Sequence, residues 1–264
     1  MARAMWSGAI SFGLVNVPIK MFTAARSKDI RFNQLHEPDM SRIKQKRYCA
    51  DEDVEVSGDE IVRGYDVGAD QYVIVTDEEI EALAPAVTNG IEIEEFVDLA
   101  DIDPVYFESS YYLAPEKSGV KAYALLMNAM KQANKVALGR VVLRNKQYLV
   151  AIRPAGRAMA MSTLYFPDEV VSQDDLEGLP GEEVVASERE LAMAEQLIGA
   201  LSNEFEPEKY HDEYREQLMT LIEEKASGSE PIALPVRAAP ATNVTDLMAA
   251  LEASIAAAKK TKSA

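Results

Sequence analysis

The chain has 264 residues, 48% of them hydrophobic, and carries 27 Lys and Arg against 44 Asp and Glu, a net charge of −17. That composition supports a folded core in one large domain or two small ones and excludes a wholly disordered chain. No apolar run approaches the roughly 20 residues of a membrane span, the polar start (residues 1–8) does not read as a secretion signal, and the lone Cys49 excludes an intramolecular disulfide, so a cytoplasmic protein is expected.

Residues 5–15 alternate as a strand, with Trp6, Gly8, Ile10, Phe12 and Leu14 on one face. Pro18 falls in the break before a second extended run over 17–24. Residues 26–47 are polar and basic. Charges near Lys44 alternate, so an extended hairpin there points Lys44 and Lys46 the same way. Residues 1–50 hold nine Lys or Arg and three Asp or Glu, net +6, whereas residues 51–117 hold two and twenty, net −18. Within the acidic stretch, residues 64–68 read as a turn before a strand over 71–76. Thr76-Asp77-Glu78-Glu79 is a capping box opening a short helix to Leu83. Strands over 91–99 and 105–113 follow, joined near Pro104.

Residues 118–157 carry eight Lys or Arg and no carboxylate, net +8. Ser118 is placed to cap a helix over 119–134 with Tyr123, Leu126, Met127 and Met130 on its apolar side. Residues 136–143 and 147–152 form a hairpin around Arg144-Asn145-Lys146, and Arg140 shares a face with Arg144. Residues 159–166 give one more strand. Many short strands with few helices predict a barrel rather than a βαβ sheet.

The last stretch, 158–264, is net −13. Ser187-Glu188-Arg189-Glu190 is a second capping box, after which Leu191, Ala194, Ile198, Leu201 and Phe205 follow heptad-like spacing. Pro207 is placed to open another helix, with Tyr210, Tyr214, Leu218, Leu221 and Ile222 as its stripe. Residues 229–242, with Pro231, Pro235 and Pro240, read as a linker. Leu247, Leu251, Ile255 and Ala258 then line one face of a terminal helix.

The run Trp6-Ser7-Gly8-Ala9-Ile10-Ser11-Phe12-Gly13-Leu14-Val15-Asn16-Val17-Pro18 resembles the opening of bacterial Ku proteins. The resemblance continues through Arg63-Gly64-Tyr65, Tyr72-Val73 with the Thr76 capping box, Ile102-Asp103-Pro104, Tyr111-Tyr112-Leu113, residues 188–198, and Phe205-Glu206-Pro207-Glu208-Lys209-Tyr210. It spans residues 3 to about 254. It implies a mixed β+α fold: a Ku-core-like β-barrel with an extended bridge forming half of a DNA-encircling ring, followed by a helical C-terminal arm. The matching divisions are 1–186 for barrel and bridge, 187–228 for the dimerisation arm, 229–242 for the linker and 243–264 for a short C-terminal segment. The implied function is non-catalytic binding of double-stranded DNA ends by a homodimer that recruits the ATP-dependent ligase of non-homologous end joining, with no cofactor and at the nucleoid.

Residues 31–47 match the family's bridge region and the hairpin tip matches a further DNA-facing loop. The expected DNA contacts are therefore Lys44, Lys46, Arg47, Arg144 and Lys146, with Arg31 and Arg140 as weaker ones, and Leu247, Leu251 and Ile255 are expected to meet the ligase. Physically, a ring that accepts any end reads backbone rather than bases and needs cations facing phosphates. Two other readings stay open. Asp98, Asp101 and Asp103 could hold Mg²⁺ for a nuclease, or the chain could be a protein-only scaffold with solvated basic blocks. Cys49, His36 and His211 sit in no nucleophile or metal motif and read as structural.

Overall fold

The computed structural model describes residues 3–69, 71–83, 89–143, 146–181, 184, 186–228 and 247–262, with the backbone alone described at 247, 249 and 257–262. The chain divides into two units, Met1–Asp175 and Leu176–Ala264. The first contains strands β1 (Trp6–Phe12), β2 (Val15–Thr23), β3 (Arg63–Asp66), β4 (Tyr72–Val75), β5 (Gly90–Val97), β6 (Phe107–Pro115), β7 (Val136–Leu143), β8 (Lys146–Ala155) and β9 (Ala158–Leu164), with helices α1 (Asp77–Leu83) and α2 (Val120–Ala133).

Seven strands close into a barrel in the order β1-β2-β6-β9-β8-β7-β5. Neighbours are antiparallel except β5 and β1, whose parallel pairing seals it. Period-2 alternation turns Val17, Ile19 and Met21 of β2, Val150 and Ile152 of β8, and Met159 and Met161 of β9 inward, each at most 1% exposed. Closure removes the sheet's free edges. Gly139 lies so close to β5 that an added Cβ would stand 2.1 Å from the Glu92 carbonyl oxygen. A glycine is needed there for the β5–β7 bulge between Ile93 and Glu95 to form.

The first strand is shorter than its alternation predicts. Gly13 adopts φ +58° and turns the chain after Phe12, so the break comes there. Pro18 lies inside β2 opposite Ala9, its carbonyl accepting from the Glu116 N–H at 2.9 Å. Ser118 is not a cap either. It sits in a 3₁₀ turn, and α2 starts at Val120 behind Gly119 without a side-chain cap. The Thr76 capping box forms as expected: Thr76 N–H donates to Glu79 and Glu79 N–H to the Thr76 hydroxyl, at 2.9 and 3.2 Å.

α2 plugs one end of the barrel with Tyr123, Leu126 and Met130. The Tyr123 hydroxyl donates to the Leu113 carbonyl and accepts from the Met159 N–H, both at 2.6 Å, tying α2 across β6 and β9. Burial pushes its phenol above the ordinary range. Its stabilising contribution is therefore complete below pH ~10 and is lost as pH rises through the folded-state value. Tyr123→Phe strips both buried backbone groups of their partner. We expect a loss of about 2–4 kcal/mol, read as a lower urea midpoint with unchanged slope; an unchanged midpoint would show the tie to be idle.

Between Thr23 and Gly90 the chain leaves the barrel as a long bridge. None of its described residues from 22 to 83 is buried, and Phe32, Met40, Val62, Tyr65 and Tyr72 are each more than 60% exposed. Among its described residues the only regular sheet is the two-stranded β3–β4 ribbon. No hairpin forms at Lys44. Residues 42–48 run extended between two tight turns, closed by the pairs Leu35 with Arg42 and Tyr48 with Glu55. In the first turn Asp39 accepts from the Ser41 N–H and from His36, both at 3.0 Å, and the Ser41 bonds followed by that of His36 hold its carboxyl below the ordinary range.

The second unit holds α3 (Glu188–Leu201), α4 (Glu213–Ala226) and α5 (Leu247–Lys262). The Ser187 capping box opens α3 as expected. Pro207 opens only a 3₁₀ turn, and α4 begins six residues later behind Asp212, whose carboxylate accepts from the Arg215 N–H. Tyr210 therefore lies outside α4. α5 packs along α3, whose half-buried apolar residues are Met193, Ala194, Leu197 and Ala200. The expected stripe lies mostly elsewhere: Leu191, Ile198, Leu201 and Phe205 are 54–78% exposed. The linker, 229–242, lies outside the described residues.

Candidate nucleic-acid interface

Strand directions decide what stands at each end of the barrel. At one end are the starts of β1, β5, β6 and β8 and the ends of β2, β7 and β9. The bridge leaves from this end after Thr23 and returns to it at Gly90. The β7–β8 hairpin, with Leu143 opposite Lys146, turns over at the same end. The opposite end is the one α2 plugs. Two basic segments far apart in sequence thus leave the barrel from one mouth.

The expected contacts divide by their partners. Lys46 donates to Glu55 at 2.6 Å, Arg140 pairs with Glu94 at 3.2 Å on the barrel's side, and Lys146 pairs with Glu169 at 3.4 Å while lying 5.2 Å over the Tyr148 ring. The bond to Glu169, followed by its charge, raises the Lys146 ammonium above its ordinary range. Lys44, Arg47 and Arg31 have no ion pair among the described residues. Arg144 lies outside them. All three pairs are more than a third exposed, so each is weak and exchangeable for phosphate.

The carboxylate-free stretch 118–157 does not make one face. Lys146 stands at the bridge mouth, whereas Lys131, Lys135, Arg153 and Arg157 stand at the α2 end. There Lys131, Lys135 and Arg153 line a cavity of about 290 Å³. Two of the three aspartates considered for a metal are occupied otherwise: Asp98 pairs with Lys135 at 2.8 Å and Asp103 accepts from the Val105 N–H at 2.9 Å. Among the described residues no three His, Cys, Asp or Glu gather as a metal site.

Residues 11–193 match the family model described as the Ku70/Ku80 beta-barrel domain. The chain belongs to the Ku family. It is 49% identical over 261 residues to the non-homologous end joining protein Ku of Anaeromyxobacter sp. strain K, covering 98% of this chain and 87% of that protein. The protein of the same name from Bacillus subtilis is 39% identical over 254 residues, with 96% and 81% covered. That of Archaeoglobus fulgidus is 41% identical over 257 residues, with 97% and 100% covered.

Two of the three residues expected to meet a ligase are already engaged. Ile255 is buried and Leu251 half-buried on α5, the helix that packs along α3; the Leu247 side chain lies outside what is described. Among the described residues no helix is long and apolar enough to cross a membrane. Sequence reasoning missed Glu55, Glu94 and Glu169, the acids that hold the expected cations. Nothing in local spacing signals Glu169, which is 23 positions from Lys146.

Proposed function

We propose that this Ku binds ends of double-stranded DNA without sequence preference, as a ring-shaped homodimer, and brings an ATP-dependent ligase to them during double-strand break repair. One observation carries the reading: the basic first part of the bridge, residues 26–47, and the basic β7–β8 hairpin leave the barrel from the same mouth. Among its described residues the bridge also has no buried one of its own. An isolated two-stranded ribbon is marginal in water, and exposed apolar side chains in such number call for a covering surface. A second copy's bridge supplies that surface, and the duplex supplies phosphates for Lys44, Arg47 and Arg31. The net −17 of the whole chain disfavours side-on adsorption to DNA and leaves threading as the favoured entry. The relatives' name, non-homologous end joining protein, supports the same role.

Incubation with linear and covalently closed DNA, with and without Mg²⁺, tests it. End-dependent binding without cleavage is expected; Mg²⁺-dependent cleavage would favour a nuclease, and no binding a protein-only scaffold.

Ligase recruitment is assigned to Leu247, Leu251 and Ile255. Because α5 packs along α3, a ligase that takes this face draws α5 away from α3. Leu251→Asp/Ile255→Asp is expected to abolish ligase stimulation while duplex binding, measured in parallel, is retained. Full stimulation by that variant would remove the assignment.

A further inference from the structure

We propose that the barrel mouth holds a pocket for one unpaired nucleobase at the DNA end. Beside the bridge roots is a cavity of about 170 Å³ walled by Trp6, Tyr111 and Tyr148. Aromatic walls accept the face of any base and are the usual platform for single-stranded nucleic acid. Glu108 and Ser109 supply the polar part of the lining. The Glu108 Oε2 accepts the Thr163 hydroxyl at 3.0 Å, which fixes the carboxylate. Its Oε1 has no hydrogen-bond partner among the described residues and can accept from an exocyclic amino group, as adenine and cytosine offer and thymine does not.

Lys146 is not part of the lining, but its ammonium lies 5.2 Å over the ring of Tyr148, which is. A carboxylate inside and an ammonium outside match a nucleotide, whose base enters while its phosphate stays at the rim. A cationic side chain, the other ligand that aromatic walls and a carboxylate suit, would meet Lys146 on the way in. The inference rests on the end-binding reading, since it is an end that offers unpaired bases beside the bridge roots.

Trp6 is the only tryptophan in the chain, so its emission reports this pocket. The full chain is titrated with a blunt duplex, with the same duplex carrying a short single-stranded adenine overhang, and with its thymine counterpart, while duplex binding is followed separately by mobility shift. The adenine overhang is expected to quench Trp6 beyond the blunt duplex and to act at lower concentration than thymine. Tyr148→Ala is expected to raise the concentration for half-quenching about tenfold, Tyr148→Phe to leave it near wild type, and Glu108→Gln to erase the base preference. Equal quenching by blunt and overhang duplexes, or none while the mobility shift shows binding, overturns the pocket and leaves end binding standing. Quenching that Tyr148→Ala does not weaken also overturns it. A mobility shift that shows no duplex bound overturns both.

Discussion

Lys44→Glu/Arg47→Glu is expected to weaken binding to every blunt duplex by about 100-fold or more and to lower the slope of log affinity against log salt by about 1.8. The size follows from two charge-assisted phosphate contacts, each about 1.5–3 kcal/mol, and from about 0.9 of slope per phosphate released. These two side chains are chosen because neither has an ion pair among the described residues, whereas Lys46 is already held by Glu55. The loss should be the same on unrelated sequences, because phosphate contacts position a protein without reading bases. Lys225→Glu, on α4 in the second unit, is the control and should change neither quantity much. Wild-type affinity and slope in the double variant would remove the bridge from the DNA face.

The second large effect concerns assembly. On α3, Ile198 and Leu201 are 65% and 60% exposed, and Phe205, stacked on Tyr210 at 5.8 Å, is 78% exposed. A helix whose one apolar stripe meets α5 while another faces outward has a partner still to meet. We expect Ile198→Asp/Leu201→Asp to convert a dimer into a folded monomer at micromolar concentration, because each buried, unpaired carboxylate costs several kcal/mol at an interface. Helix content should persist, since the stripe is not part of the subunit's own core. Sedimentation velocity and circular dichroism on one sample decide it: a helical dimer would place the interface elsewhere.

The barrel was legible because closed sheets write their pleat into the sequence: alternation in residues 17–21 shows which side chains face in. The helix starts at Thr76 and Ser187 were legible because a capping box is a local device. Ser118 and Pro207 misled, since each residue type also occurs in 3₁₀ turns and nothing in its neighbourhood tells the two apart. The α3 stripe was legible as a packing face but not by what it meets: both sides of that helix are apolar, and spacing alone does not say which side α5 takes.

At the candidate site, charge segregation marked residues 1–50 and 118–157 as basic, the resemblance supplied the bridge, and residues 118–157 were treated as one surface. The strand order splits it, because α2 runs at the far end of the barrel and only the β7–β8 turn reaches the bridge mouth. The acids paired with Lys46, Arg140 and Lys146 could not be read in advance, since those pairs depend on which strands and turns become neighbours.

Two bridges that close around a duplex would be linked to it topologically. The direct measurement loads the protein on linear DNA, joins the DNA ends into a closed circle, and then challenges with salt high enough to abolish phosphate binding. A closed ring stays on the circle through the challenge and is released when the circle is cut once. Protein that leaves the uncut circle at the same salt as it leaves linear DNA would be bound by charge alone, and the ring would be contradicted.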